Sequence, residues 1–211
     1  ASSSNQGFTD TNGTFDVYLY ELSSKTKILV SRANGLASAA DRASDSPDVS
    51  YDGRFVAYRS AASNIVTNDA NGLPDVFVYD RFTDANTLLS QNWSGDSSGN
   101  NRSAAPAFSG DGRTLVFPSS ATDLISDDFN QGSDLFSFAF LYVTITRNAG
   151  EPPVISWPAT SGQNYQVQFK NKVDDLNWQP VNGTVVITNH QASIQDLSPD
   201  AEHRIYRVVA F

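Results

Sequence analysis

One spelling occurs three times in this chain: Asp10-Thr-Asn12-Gly13-Thr-Phe-Asp16, Asp69-Ala-Asn71-Gly72-Leu-Pro-Asp75 and Asp128-Phe-Asn130-Gln131-Gly132-Ser-Asp134. The closing aspartates stand 59 residues apart each time. Each copy opens directly into an apolar run, Val17 to Tyr20, Val76 to Tyr79 and Leu135 to Phe138, so a polar turn feeds a strand. Self-similarity at this period marks a repeat architecture, in which one supersecondary unit cannot bury its apolar surface without the next.

A second signal keeps the same offset. Pro47-Asp-Val-Ser50-Tyr-Asp52-Gly53-Arg54 followed by Phe55 to Tyr58 is answered by Pro106-Ala-Phe-Ser109-Gly-Asp111-Gly112-Arg113 followed by Thr114 to Phe117. Asp-Gly between two short apolar runs predicts a tight primed hairpin. One unit then has four short strands, at about 47 to 50, 54 to 60, 75 to 80 and 87 to 91. Phe55 and Ala57 face one side and Val56 and Tyr58 the other, and Val76 to Tyr79 is apolar on both sides, so both faces of the sheet must be covered.

With these residues in hand, Pro-x-x-Ser-x-Asp-Gly-Arg ahead of an alternating strand resembles the TolB-type, WD-like β-propeller repeat over residues 10 to 141. The resemblance implies four-stranded blades and a role in binding rather than catalysis. The chain carries the end of one blade, one complete unit and the first three strands of another. Ala139 to Ile145, where the last blade should turn into its fourth strand, has no turn residues. That outer strand must come from another molecule, from the N-terminal segment, or stay open, which makes Leu135, Phe136, Phe138 and Phe140 a candidate assembly edge. Leaving one such side chain uncovered forgoes about 1.5 to 3 kcal/mol, and several together rival the whole stability of a domain.

Residues 142–211 read as a separate unit. Short strands at Pro153 to Trp157, Asn164 to Phe169, Thr184 to Ile187, Ala192 to Gln195 and Arg204 to Ala210 are separated by Gly, Asn, Asp and Pro turns, the pattern of a small antiparallel sandwich with Trp157 and Trp178 in its core. Leu197-Ser-Pro199 ahead of Tyr206 resembles the end of a fibronectin type III-like module, in which a tyrosine braces the last connection. The expected fold is therefore all-β: a partial β-propeller of about two and a half blades over 1–141, then a β-sandwich over 142–211.

Composition narrows the partners. A net charge of −9 argues against nucleic acid, which demands clustered Lys and Arg. No stretch reaches membrane-spanning length, since the longest apolar run, Leu135 to Val143, is interrupted by Ser137. Cysteine is absent, which excludes disulfides and Cys-ligated metals, and methionine is absent even at position 1, which reads as a processed segment. Loops rich in Asn, Ser, Thr, Asp and Gly with little Lys fit a secreted or cell-surface protein.

For chemistry, the three Asp-x-Asn loops allow two readings. Their side chains cap the turn by bonding nearby N–H groups, or Asp10, Asn12, Asp16, Asp69, Asn71, Asp75, Asp128, Asn130 and Asp134 supply oxygens to Ca²⁺, which takes six to eight at about 2.3 to 2.6 Å. No cofactor is certain, and Ca²⁺ is the candidate. The Asp-box of sialidase propellers is excluded, because the residue before its Gly and the Trp after it are both missing. His190 and His203 have no Ser/Asp partner pattern, and the pairs Asp127-Asp128 and Asp174-Asp175 sit in loops, so no enzyme is expected. Trp93 either closes the end of a blade core or stacks on a sugar from a loop. Two functions follow: an extracellular structural protein completed by self-association or by other secreted proteins, or a carbohydrate- or Ca²⁺-binding module of a larger secreted propeller.

Overall fold

A computed structural model describes residues 10–140, 142–159, 163–188, 191–198 and 204–211. Every regular element among them is a β-strand, and the chain divides into two compact units, Ala1–Phe140 and Leu141–Phe211. All strand pairings are antiparallel, and none of the sheets closes on itself among the described residues.

The first unit holds three sheets in chain order. β1 (Tyr18–Glu21) and β2 (Thr26–Leu29) form a hairpin. β3 (Ser44–Val49), β4 (Phe55–Ser60), β5 (Asp75–Asp80) and β6 (Ala85–Leu88) form a four-stranded meander, the form of a propeller blade. β7 (Ala107–Phe108), β8 (Thr114–Ser119) and β9 (Asp134–Ala139) make a three-stranded version of it. The first strand of the blade begins earlier than expected, because the β3–β4 register shifts between Asp45 and Asp48. Pro47, which has no N–H to give to the ladder, lies in that shift, and Ser46 beside it takes a φ of 51°.

The Asp-Gly hairpins are not primed two-residue turns. Only the glycine has positive φ, 69° at both Gly53 and Gly112. The reason lies in the preceding serine and aspartate. Ser50 Oγ donates to Asp52 Oδ1 at 2.6 Å and accepts the Phe55 N–H, while Asp52 Oδ1 also accepts from the Arg54 N–H at 3.0 Å. Ser109, Asp111, Arg113 and Thr114 repeat the pattern. The Ser-x-Asp-Gly-Arg spelling is thus a wider loop held by its own side chains.

Opposite faces of the blade meet different neighbours. Val56, Tyr58, Phe77, Tyr79 and Leu88 are buried in one cluster with Val17 and Val30, which flank the first sheet, and Leu19 and Ile28 of that sheet pack against it. Ala57, Val76 and Val78, on the other face, are also at most 5% exposed. The third sheet lies beyond that face: the Phe108 N–H donates to Asp48 Oδ2, the Ser103 N–H to the Pro74 carbonyl, and the Phe55 and Phe140 rings are 4.4 Å apart.

The second unit is a sandwich. β10 (Thr144–Thr146), β11 (Val154–Pro158), β12 (Tyr165–Lys170), β13 (Gln179–Pro180), β14 (Val186–Thr188), β15 (Gln191–Gln195) and β16 (Ile205–Ala210) form one sheet in the order β10-β11-β15-β14 and another in the order β13-β12-β16. Ile155, Trp157, Val167, Ala192 and Ile194 are buried between them, with Tyr165, Phe169, Tyr206 and Val208 packed alongside. β10 comes from the run that follows Phe140, so that segment joins the sandwich instead of returning as a fourth blade strand. Trp178 is not core: it is half-buried, with the Lys170 and Arg207 cations 4.8 and 4.4 Å from its ring. Asp196 is fully buried and accepts from Arg204, Tyr206 and the Ser198 N–H. Burial raises its pKa, but those three donors outweigh burial and hold it below the usual value.

Candidate functional site

Each Asp-x-Asn loop starts as a turn made by its asparagine. The Oδ1 of Asn12, Asn71 and Asn130 accepts the N–H two residues on, at 2.6 Å in every copy. The same side chain's Nδ2 reaches forward to the closing aspartate, at 3.5, 2.8 and 3.2 Å. In the first two copies Nδ2 also bonds a distant carbonyl, that of Ala40 or Gly99, again 59 residues apart. The fourth position of the loop needs positive φ, 64° at Gly13 and 66° at Gly72, and Gln131 adopts 53° there.

The closing aspartate is a latch between strands. Ser90 Oγ donates to Asp75 Oδ1 at 2.6 Å and accepts the Val76 N–H, so the entry to β5 is tied to the chain just beyond β6. Ser31 makes the same pair of bonds to Asp16 and Val17. In the third copy the corresponding position is Ala149, in the other unit, and Asp134 Oδ2 is buried without a hydrogen-bond partner. Burial pushes Asp75 up to about 7, against the pull of Ser90 and Asn71, with Asp69 and Asp123 adding repulsion. Asp16 is raised by burial first and by Asp10 second. The serines escaped the sequence reading, although their spacing of 59 was a legible signal.

The predicted edge residues separate. Leu135 is 70% exposed and Phe138 42%, while Phe136 is half-buried and stacks on Phe117 at 5.9 Å. The outer edge of β9 has no strand partner among the described residues. Phe140 is a correction. It is 8% exposed, its N–H bonds the Arg113 carbonyl, and its ring sits among Phe55, Phe108 and Phe138, so it closes the core between two sheets instead of offering an edge.

Trp93 closes no blade core: it is 69% exposed. Its loop is ordered by bonds between Asn92 and Asp96, and the Trp93 N–H donates to the Asp123 carbonyl at 2.6 Å. A cavity of about 470 Å³ lies elsewhere in this unit, lined by Arg32, Asn34, Leu36, Asp84 and Asn86, and Arg32 spans it to Asp84 at 2.7 Å. His190 and His203 lie outside the described residues. Asp175 Oδ2 accepts the Asn171 and Lys172 N–H groups and so serves its turn.

No family model matches the chain, and no curated protein matches it. Among solved structures, one match is a protein from Agrobacterium tumefaciens assigned as TolB, at 16% identity and a TM-score of 0.32. The match covers 93% of this chain and 50% of that one, so the chain spans about half the length of that structure. The class of this protein is therefore defined by its own sheets: all-β, with blade-like antiparallel meanders followed by a sandwich. No helix among the described residues is long and apolar enough to cross a membrane.

Proposed function

We propose that this chain is a non-enzymatic structural and interaction protein, acting outside the cell, whose open sheet is completed by a neighbouring copy of itself. The observation that carries the reading is the exposure of Leu135, at 70%, where its repeat counterpart Val76 is fully buried. The rule for covering such a face is present twice inside the chain, since each sheet lays one face on the opposite face of the next. Continuing it brings the Tyr18 and Tyr20 face of a second copy's first sheet onto the Val116, Leu135 and Ala139 face of the third. Tyr20 is 54% exposed and available for that contact. The unpaired edge of β9 adds backbone groups that a further strand can pair. Such a contact joins two different surfaces, so it propagates into a ring or a filament.

Size-exclusion chromatography with light scattering tests this directly. A concentration-dependent oligomer that Leu135→Asp dissociates is expected, whereas a wild-type chain that stays monomeric and cooperatively folded at about 100 μM overturns the reading. Carbohydrate binding is a second reading, favoured by the exposed Trp93 on an ordered loop. A glycan array on the wild type and Trp93→Ala decides it: no sugar retained at millimolar concentration rules it out.

A further inference from the structure

The third sheet ends one strand short, and the complete blade shows what that strand has to carry. β6 sets Leu88 opposite Phe77 of β5, the Leu89 N–H then donates to the Val76 carbonyl, and Ser90 latches Asp75. β2 does the same on β1. Leu29 lies opposite Tyr18, the Val30 N–H donates to the Val17 carbonyl, and Ser31 bonds Asp16. Both segments read leucine, a second aliphatic residue, serine: Leu29-Val30-Ser31 and Leu88-Leu89-Ser90. The leucine and the serine are at most 2% exposed in each.

β9 keeps the acceptor half of this joint. Its register on β8 repeats that of β5 on β4, with Leu135 opposite Pro118 as Val76 is opposite Arg59, so the Leu135 N–H and C=O turn to the open edge. Asp134 Oδ1 accepts from Asn130, and Oδ2, the oxygen left for a serine, has no hydrogen-bond partner. The loop that a fourth strand should cross is bare as well. In the first repeat the loop Arg32 to Ala37 faces the start of β6, where Arg32 pairs with Asp84 and Asn86 Nδ2 donates to the Val30 carbonyl. Trp93 stands 59 residues after Asn34 of that loop, and its N–H donates to the Asp123 carbonyl as that of Asn34 does to Asn64. Residues 144–146, at the offset of β6, run instead in the second unit as β10.

We propose that the edge of β9 takes an extended segment of a partner protein that ends in two aliphatic residues and a serine, with the serine on Asp134 and the first residues across Trp93. Backbone bonds to the edge supply affinity, and the leucine and serine positions supply specificity. A second copy of the chain has no such strand to spare. Leu29-Val30-Ser31 and Leu88-Leu89-Ser90 are latched into their own sheets, Val154-Ile155-Ser156 lies in β11 between β10 and β15, and Leu124-Ile125-Ser126 belongs to a loop. The first nine residues contain no Leu, Ile or Val. This edge is separate from the side-chain face that Leu135 offers for self-association, so failure of either proposal leaves the other standing.

The probe is a synthetic peptide with the sequence of Asp84–Gln91, titrated into the whole chain by calorimetry and by tryptophan fluorescence. One peptide per chain is expected, saturating below about 1 mM, with a fluorescence change that Trp93→Phe removes while calorimetric binding remains. The Ser90→Ala version of the peptide should bind about tenfold more weakly, the loss of one hydrogen bond to a carboxylate. That difference should vanish in an Asp134→Ala chain, as a double-mutant cycle requires of a direct contact. No saturation, equal binding of a scrambled peptide, a fluorescence change that persists in Trp93→Phe, or a serine effect that is absent or survives Asp134→Ala overturns the proposal. So does binding that appears only after residues 1–9 are removed, which would give the edge to the chain's own N-terminus. Should Asp134→Ala fail to fold, as circular dichroism would show, the three peptides compared on the wild type still decide the matter.

Discussion

β5 and β9 are the same strand 59 residues apart, placed in different surroundings. Val76 to Tyr79 are at most 5% exposed, whereas Leu135 is 70% and Phe138 42% exposed. β5 has β4 and β6 at its sides and a sheet over each face; β9 has β8 on one side and is covered on one face. The difference teaches that in a stacked repeat the sequence unit is not the unit of stability, because each sheet is stabilised by the interfaces with its neighbours. The third copy is already adapted to this: Ser137 stands where Val78 stands, Ala139 where Asp80 pairs with Arg54, and Ala149 where Ser90 latches Asp75.

Substituting a charge at matched positions should give the largest contrast. Val76→Asp places an unpaired carboxylate at a fully buried site and is expected to cost about 4 kcal/mol or more, enough to prevent folding of the first unit. Leu135→Asp should change thermal stability by less than about 1 kcal/mol in the monomer while abolishing self-association. Equal loss of the folded state in both, followed by circular dichroism, would break the comparison.

The latch comes next. Ser90→Ala removes the donor to Asp75 and the acceptor for the Val76 N–H, and should cost about 1 to 3 kcal/mol in urea unfolding. The pH dependence carries a sign. Asp75 goes from 3.8 in the unfolded chain to about 7 when folded, so the folded state holds the extra proton and stability falls as pH rises from about 4 towards about 7. Asp75→Asn should flatten that slope in buffer with chelator, and an unchanged slope would count against the buried network.

The glycine pair offers a finer test. Gly53 and Gly112 share a φ of 69°, but a Cβ on Gly53 meets open space and one on Gly112 would lie 2.7 Å from the Tyr51 backbone nitrogen. Gly53→Ala should cost about 1 to 2 kcal/mol, the left-handed penalty alone, and Gly112→Ala clearly more. Smallest is Gln131→Gly, which relieves a φ of 53° and should raise the melting temperature slightly, by under about 1 kcal/mol of added stability.

Much of this was legible. The repeat period, the strands of the blade and the two-sided burial of Phe55 to Tyr58 follow from alternation and turn residues, which are local. The primed hairpin was misjudged because Ser50 and Asp52 bond the loop into a wider form, a side-chain effect that outranks the Asp-Gly pair. Trp178 was misplaced in the core because Lys170 and Arg207 come to it from two strands that meet only in the folded sheet.

By itself the sequence determined the repeat period, where most of the strands lie and turn, and which side chains share a face, because those depend on residues a few positions apart. Only the tertiary structure decided which faces are covered, why Phe140 is core while Leu135 is open, and why Asp69 lacks the partners that its repeat counterpart Asp10 has. Burial and hydrogen-bond satisfaction are set by groups brought from far along the chain, Ser98 to Ala70 and Phe55 to Phe140, so identical spellings end in different environments.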